Sequence, residues 1–143
     1  MNIKLEIKPL TYNQYYRNSK NGRRIKTGAG LAYDEELSVV LEDYAIALSN
    51  YGKFLDPSKE IVRLKIAHYN PNFYVKDNSR LSKTAGDTDG PIKVLQDKIF
   101  NALGLDDYVV KSLVVDQYPG REHIVIINID KLLLSSIEYQ PIR

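Results

Sequence analysis

The chain has no cysteine, no tryptophan and only 2 histidines among its 143 residues. Without thiols it can form neither disulfides nor thiolate metal centres, and it needs no oxidising compartment. His68 and His123 are too few for a histidine-rich zinc centre. Long hydrophobic runs are also missing: the apolar stretches are only a few residues long, far short of the roughly 20 that span a bilayer. The N-terminus alternates Ile3, Leu5 and Ile7 with Lys4, Glu6 and Lys8, which is a strand pattern and not a secretion signal. The expectation is a soluble, intracellular (cytoplasmic) protein with no membrane partner. Prolines number only 6 and glycines 8, while 43% of residues are hydrophobic. That balance argues against disorder and for one folded domain over residues 1–143, large enough to bury an ordinary core.

Net charge is only +2, so the overall balance says little about a polyanionic partner. Its distribution says more. No acidic residue lies between Lys8 and Asp34, whereas Arg17, Lys20, Arg23, Arg24 and Lys26 fall within ten positions. A local block of this kind can bind phosphates although the chain is nearly neutral; a solvated loop without a ligand is the plain alternative.

Periodicity gives the order strand, helix, strand, helix, strand, strand. Residues 2–8 form the first strand, and 9–30 a long polar connection. A helix over 31–51 follows from the spacing of Leu37, Val40, Leu41, Tyr44, Leu48 and Tyr51, with Gly52 as its stop. Val62, Leu64 and Ile66 alternate with Arg63 and Lys65 in a strand over 60–69. Residues 70–88 make a second long connection, containing Asn70-Pro71, Asn78-Ser79 and Gly86. A helix over 90–103 carries the stripe Ile92, Leu95, Ile99, Phe100, Leu103, with Pro91 in its first turn and Gly104 as its cap. Strands over 112–118 and 123–130 are joined through Pro119-Gly120-Arg121, a hairpin signal. The fold class expected is α+β: a two-layer sandwich of a mixed four-stranded sheet with two main helices on one face. Both long connections and the Asp106-Asp107 turn are expected to converge at one end. In the tail 131–143, Leu132 to Leu134 could pack on the sheet or on a partner, and with Ile137 they are a candidate dimer contact.

Two acidic runs flank the second helix: Asp87-x-Asp89 before it, Asp106-Asp107 after it. Hard divalent cations take oxygen ligands, and Mg²⁺ is commonly held by one or two carboxylates with water and substrate phosphate. Asp89 before Gly90-Pro91 is also a good helix cap, and turns favour Asp in any case. Lys93, four residues after Asp89, could reach a scissile phosphate; its ordinary role is an i,i+4 ion pair with Asp89 or Asp97. No serine–histidine–aspartate pattern is present, and Gly28-x-Gly30 lacks the Gly-Lys-Ser/Thr of a nucleotide-binding loop.

These residues together resemble the RusA family of Holliday junction resolvases, found in phages and prophages. The likeness runs through Asn13-Gln14-Tyr15-Tyr16-Arg17, Arg23-Arg24-Ile25-Lys26 and Leu31-Ala32-Tyr33. It continues through Asp87-Thr88-Asp89-Gly90-Pro91-Ile92-Lys93, Asn101-Ala102-Leu103, Leu105-Asp106-Asp107 and Leu113-Val114-Val115. Gly90 stands where the family has Asn, and Gly86 where it often has a basic residue. The resemblance implies a Mg²⁺-dependent endodeoxyribonuclease (Mn²⁺ as substitute) that makes paired cuts in four-way DNA junctions, acting as a homodimer. It implies metal-binding Asp87, Asp89 and Asp107, a catalytic Lys93, and DNA contacts from Asn13, Tyr16, Arg17, Lys20, Arg23, Arg24 and Lys26. A DNA-binding protein without cleavage, or a metal-dependent phosphoesterase on a small substrate, are the alternatives.

Overall fold

A computed structural model describes residues 1–77, 80–83 and 90–137, with the backbone alone for Asp107. Asn78-Ser79, Gly86, Asp87 and Asp89 lie outside the described residues. Among the described residues the helices and strands follow in the order β1 Asn2–Leu5, α1 Tyr12–Tyr15, β2 Tyr16–Asn18, β3 Arg24–Lys26, α2 Gly28–Glu42, α3 Ala45–Lys53, β4 Glu60–Asn70, α4 Ile92–Leu103, β5 Val110–Pro119 and β6 Ile124–Leu133. Four strands form one mixed sheet in the order β1-β6-β4-β5, with β4 parallel to β5 and the other pairs antiparallel. The α+β class and the mixed four-stranded sheet are therefore as the periodicity predicts. Among the described residues no helix is long and apolar enough to cross a membrane.

The period-two pattern of β4 explains how the layers form. Val62, Leu64, Ile66 and His68 are buried and project to one side. The register places Leu64 beside Ile129, Ile66 beside Ile127 and His68 beside Val125, so β6 adds its own buried row to that side. Ile3 and Leu5 of β1 extend it, and Leu37, Leu48, Leu95 and Ile99 from the three longer helices close the same core. The opposite face carries Lys4, Lys65 and Asp116, all exposed.

Four expectations are corrected. The helix expected over 31–51 is two helices, α2 and α3, that break at Asp43-Tyr44. Neither a glycine nor a proline marks the break; the Tyr44 hydroxyl reaches the Lys4 peptide at 3.3–3.4 Å, and α3 turns away to pack on α4. Gly52 is not the stop but lies inside α3, where an added Cβ would stand 1.9 Å from the Leu103 carbonyl oxygen. The connection 9–30 is largely structured. Thr11 and Gln14 form a capping box for α1, β2 pairs with β3 in a hairpin, and the Thr27 hydroxyl, accepting from the Gly30 amide at 2.9 Å, starts α2 three residues earlier than expected. Finally, Pro119-Gly120-Arg121 does not join neighbours: β4 lies between β5 and β6. The connection crosses the end of β4, where the Gly120 amide donates to the Asn70 carbonyl and a Cβ on Gly120 would lie 2.8 Å from that of Tyr69.

β6 continues through Leu133, so Leu132 and Leu133 pair with Ile61 and Glu60, the sheet being one of the two places expected for them. Leu133, Leu134 and Ile137 remain exposed.

Candidate nucleic-acid interface

α4 organises the functional residues. Its apolar stripe, Ile92, Val94, Leu95, Ile99, Phe100 and Leu103, is buried, which leaves Lys93, Asp97 and Asn101 exposed on its outer side. Pro91 caps it without a side-chain bond, and Gly104, at φ 69°, ends it in the left-handed conformation that glycine tolerates best. α4 has 12 residues and so measures about 18 Å. Gly90, which follows Asp89 in the chain, stands at one end; the Asp106-Asp107 turn, which opens a 3-10 turn over Asp107–Val109, stands at the other. That turn packs beside the start of β4, whereas the connection carrying Asp87 and Asp89 leaves from the finish of β4. The expected convergence of Asp87 and Asp89 with the Asp106-Asp107 turn falls on residues outside those described. Lys93 belongs to the end that Gly90 marks.

The basic block sits on the β2–β3 hairpin. Tyr16, Arg17 and Asn18 pair with Lys26, Ile25 and Arg24, and the connecting turn holds Lys20 and Asn21 at its tip, with Gly22 at φ 75°. Asn13, Arg17, Lys20, Arg23 and Arg24 are exposed and Tyr16 is half-buried. Among the described residues none of these cations has an ion-pair partner, and the Lys93–Asp97 pair does not form.

Lys26 differs from its neighbours. Its ammonium bonds Asp34 at 2.7 Å, Lys98 of α4 approaches the same carboxylate at 3.0 Å, and the Tyr15 hydroxyl donates to it at 2.5 Å. Burial acts to raise the Asp34 carboxyl, but the bonds from Lys26, Tyr15 and Lys98 outweigh it and hold the group at about 2. The Asp34 bond raises Lys26 above the ordinary lysine value. Burial and the Asp34 bond raise Tyr15. This cluster joins the hairpin, α2 and α4, beside a cleft of about 430 Å³ whose walls include Tyr16, Asp97, Asn101 and Asp106.

Tyr12 was not singled out by the sequence, and it connects the two functional groups. The Arg24 guanidinium lies 4.6 Å and the Lys93 ammonium 4.8 Å from the centre of its ring. Each such contact contributes roughly 0.5–1 kcal/mol at an exposed site. Together they hold a hairpin arginine and the α4 lysine around one aromatic ring.

A second polar group lies near the finish of β4. His68, almost fully buried, shares a 3.1 Å contact between its Nε2 and His123 Nδ1, the rings being stacked with 19° between their planes. Burial lowers His68 to about 4, with the neighbouring His123 adding to the effect; burial also lowers His123.

Among the described residues no three His, Asp or Glu side chains gather as a metal-binding set; Asp87 and Asp89 lie outside those residues. No family model matches the chain, and no curated protein matches it significantly.

Proposed function

We propose that the protein is a Mg²⁺-dependent, structure-selective endonuclease that resolves four-way DNA junctions, similar in kind to the RusA resolvases. The observation that carries this reading is the gathering, from two distant parts of the chain, of cations that have no ion-pair partner among the described residues. Arg24, an exposed arginine of the hairpin, meets Lys93 around Tyr12, at the end of α4 into which the Asp87-x-Asp89 run leads. Duplex and branched DNA offer closely spaced phosphates that such a surface neutralises. Asp87, Asp89 and Asp107 are the carboxylates that would hold Mg²⁺, whose donor preference for oxygen they satisfy. When bound, the ion supplies a water of lowered pKa and neutralises charge on the phosphate. Lys93 then adds a positive charge facing the scissile group, while the hairpin holds the strand. A four-way junction has approximate two-fold symmetry, so a homodimer with one site per subunit suits paired cuts.

The test is a synthetic four-way junction incubated with Mg²⁺, with EDTA, and beside a linear duplex of the same sequence. Cleavage should require Mg²⁺ and prefer the junction, and Asp87→Asn or Asp89→Asn should abolish it with binding retained. A junction bound but left uncut under every condition would favour a DNA-binding protein without nuclease activity. The length of α4 between Gly90 and Asp106 is the observation on that side.

A further inference from the structure

Between α1 and the hairpin lies a recess of about 130 Å³ walled by Tyr12, Asn13, Tyr16, Arg17, Asn18 and Arg24. Among the described residues its chemistry is uniform: two guanidiniums, two carboxamides and two phenols, with no carboxylate. Five of these residues come from one short run, because α1 passes directly into β2; the ladder pairing Asn18 with Arg24 brings in the sixth side chain from β3 and sets it beside Arg17's strand. Guanidinium forks and amide N–H groups match the oxygens of a phosphate, and the recess holds a group of that size and no large ligand. From it, Tyr12 leads straight to Lys93, since the same ring is in contact with both Arg24 and Lys93. Ring-centre distances of 4.6 and 4.8 Å keep those two cations within about 9 Å of each other, roughly one to two nucleotide steps along a strand.

We propose that this recess seats one backbone phosphate of a nucleic-acid strand, and that Tyr12 is the positioning residue that sets the next stretch of the strand against Lys93. The inference rests on the reading of the protein as a DNA-cutting enzyme and names how that site takes its register. Tyr12 and Asn18 acquire roles in it, one through its ring face and the other through its amide.

The experiment is an NMR titration of the protein in EDTA at fixed ionic strength. One arm uses the thymidine dinucleotide TpT, which has a single phosphodiester, the second inorganic phosphate, and the third chloride. Side-chain resonances of Arg17, Arg24 and Lys93 are followed. Both phosphate probes should saturate at Arg17 and Arg24, and TpT should also shift Lys93. Arg24→Gln and Asn18→Ala should weaken TpT at least fivefold. Tyr12→Phe, which keeps the ring face, should behave as the wild type. Tyr12→Leu should lose the Lys93 shift while the Arg17 shift persists. Linear shifts equal to those from chloride would overturn the proposal, as would Tyr12→Leu matching Tyr12→Phe. Saturation by inorganic phosphate but not by TpT would mean a free-anion site and overturn it equally. Should Tyr12→Leu fail to fold, Arg24→Gln at the exposed hairpin still decides the outcome. No step requires cleavage, so a protein that binds TpT but cuts no junction keeps this recess and loses the nuclease reading; one that cuts junctions without binding TpT does the reverse.

Discussion

Acidification should destabilise this protein through His68 before its carboxylates are protonated. His68 is 2% exposed, its Nδ1 has no hydrogen-bond partner among the described residues, and its Nε2 meets His123 Nδ1 at 3.1 Å. In the neutral pair one imidazole donates and the other accepts. A proton added at His68 places a charge among Ile66 and Val125 with nothing to solvate the orphaned nitrogen, which is why burial pushes the group from 6.5 down to about 4. The unfolded chain therefore takes up this proton first. Stability is unaffected above about pH 6.5, falls as the pH drops from there to about 4, and loses nothing more from this group below that. A shift of that size corresponds to about 3 kcal/mol, or roughly 10 °C of melting temperature for a chain of this length. His123, whose lowering by burial is reinforced by nearby Lys8, acts in the same direction. Asp34, held at about 2, loses its contribution only below the ordinary carboxylate value, in a separate window. Urea unfolding at pH 7.5, 6.5, 5.5 and 4.5 measures the slope, and His68→Gln, which cannot titrate, should flatten most of it. A wild type equally stable at pH 7.5 and 4.5, or a variant with an unchanged slope, would refute the argument.

Gly52→Ala should destabilise the fold by about 2–4 kcal/mol, because the new methyl would meet the Leu103 carbonyl carbon at 2.8 Å and its oxygen at 1.9 Å. Thermal denaturation reads this, and a loss below about 0.5 kcal/mol would mean that α3 and α4 separate easily. In the junction assay Asp107→Asn should abolish cleavage and Asp106→Asn should be milder, since Asp106 is exposed beside Asp97 and Asn101 on the wall of the larger cleft; the reverse order would exchange their roles.

Where a segment's own residues decide its structure, the sequence was a good guide. α4 departs from its expected bounds by two residues because its apolar stripe, Gly104 and the proline before it all act locally. β4 needed only its alternation. The misreadings share one cause, a distant partner. Nothing near Asp43-Tyr44 announces a break, since the Tyr44 hydroxyl answers to Lys4, forty residues away. Pro119-Gly120 is a genuine turn, but no turn signal tells that β4 has been inserted between the two strands it connects. At the site, the hairpin arginines and Lys93 were visible as charges. Tyr12 was not, because its value lies in bringing Arg24 and Lys93 together across sixty-nine positions of chain. The capping box and the Thr27 cap were legible signals that the polarity of residues 9–30 obscured.

The cations of the basic block, alike in sequence, should separate in function. Arg17, Lys20, Arg23 and Arg24 are exposed without ion-pair partners among the described residues, free to exchange counterions for DNA phosphates. Lys26 is held at 2.7 Å by Asp34 within a cluster that Tyr15 and Lys98 complete. Each phosphate neutralised adds roughly 0.9 to the slope of log affinity against log salt. Replacing Arg23 and Arg24 together with Gln should lower that slope by about 1 to 2 and leave the melting temperature nearly unchanged. Lys26→Gln should do the opposite, leaving the slope intact while removing about 1 kcal/mol of stability, the scale of a partly exposed ion pair that is also hydrogen-bonded. Fluorescence anisotropy of a labelled junction across a salt series, beside thermal melts of the same proteins, measures both. If Lys26→Gln lowers the slope as much as the arginine pair does, Asp34 releases Lys26 to the DNA, and the cluster is part of the binding surface and not of the scaffold beneath it.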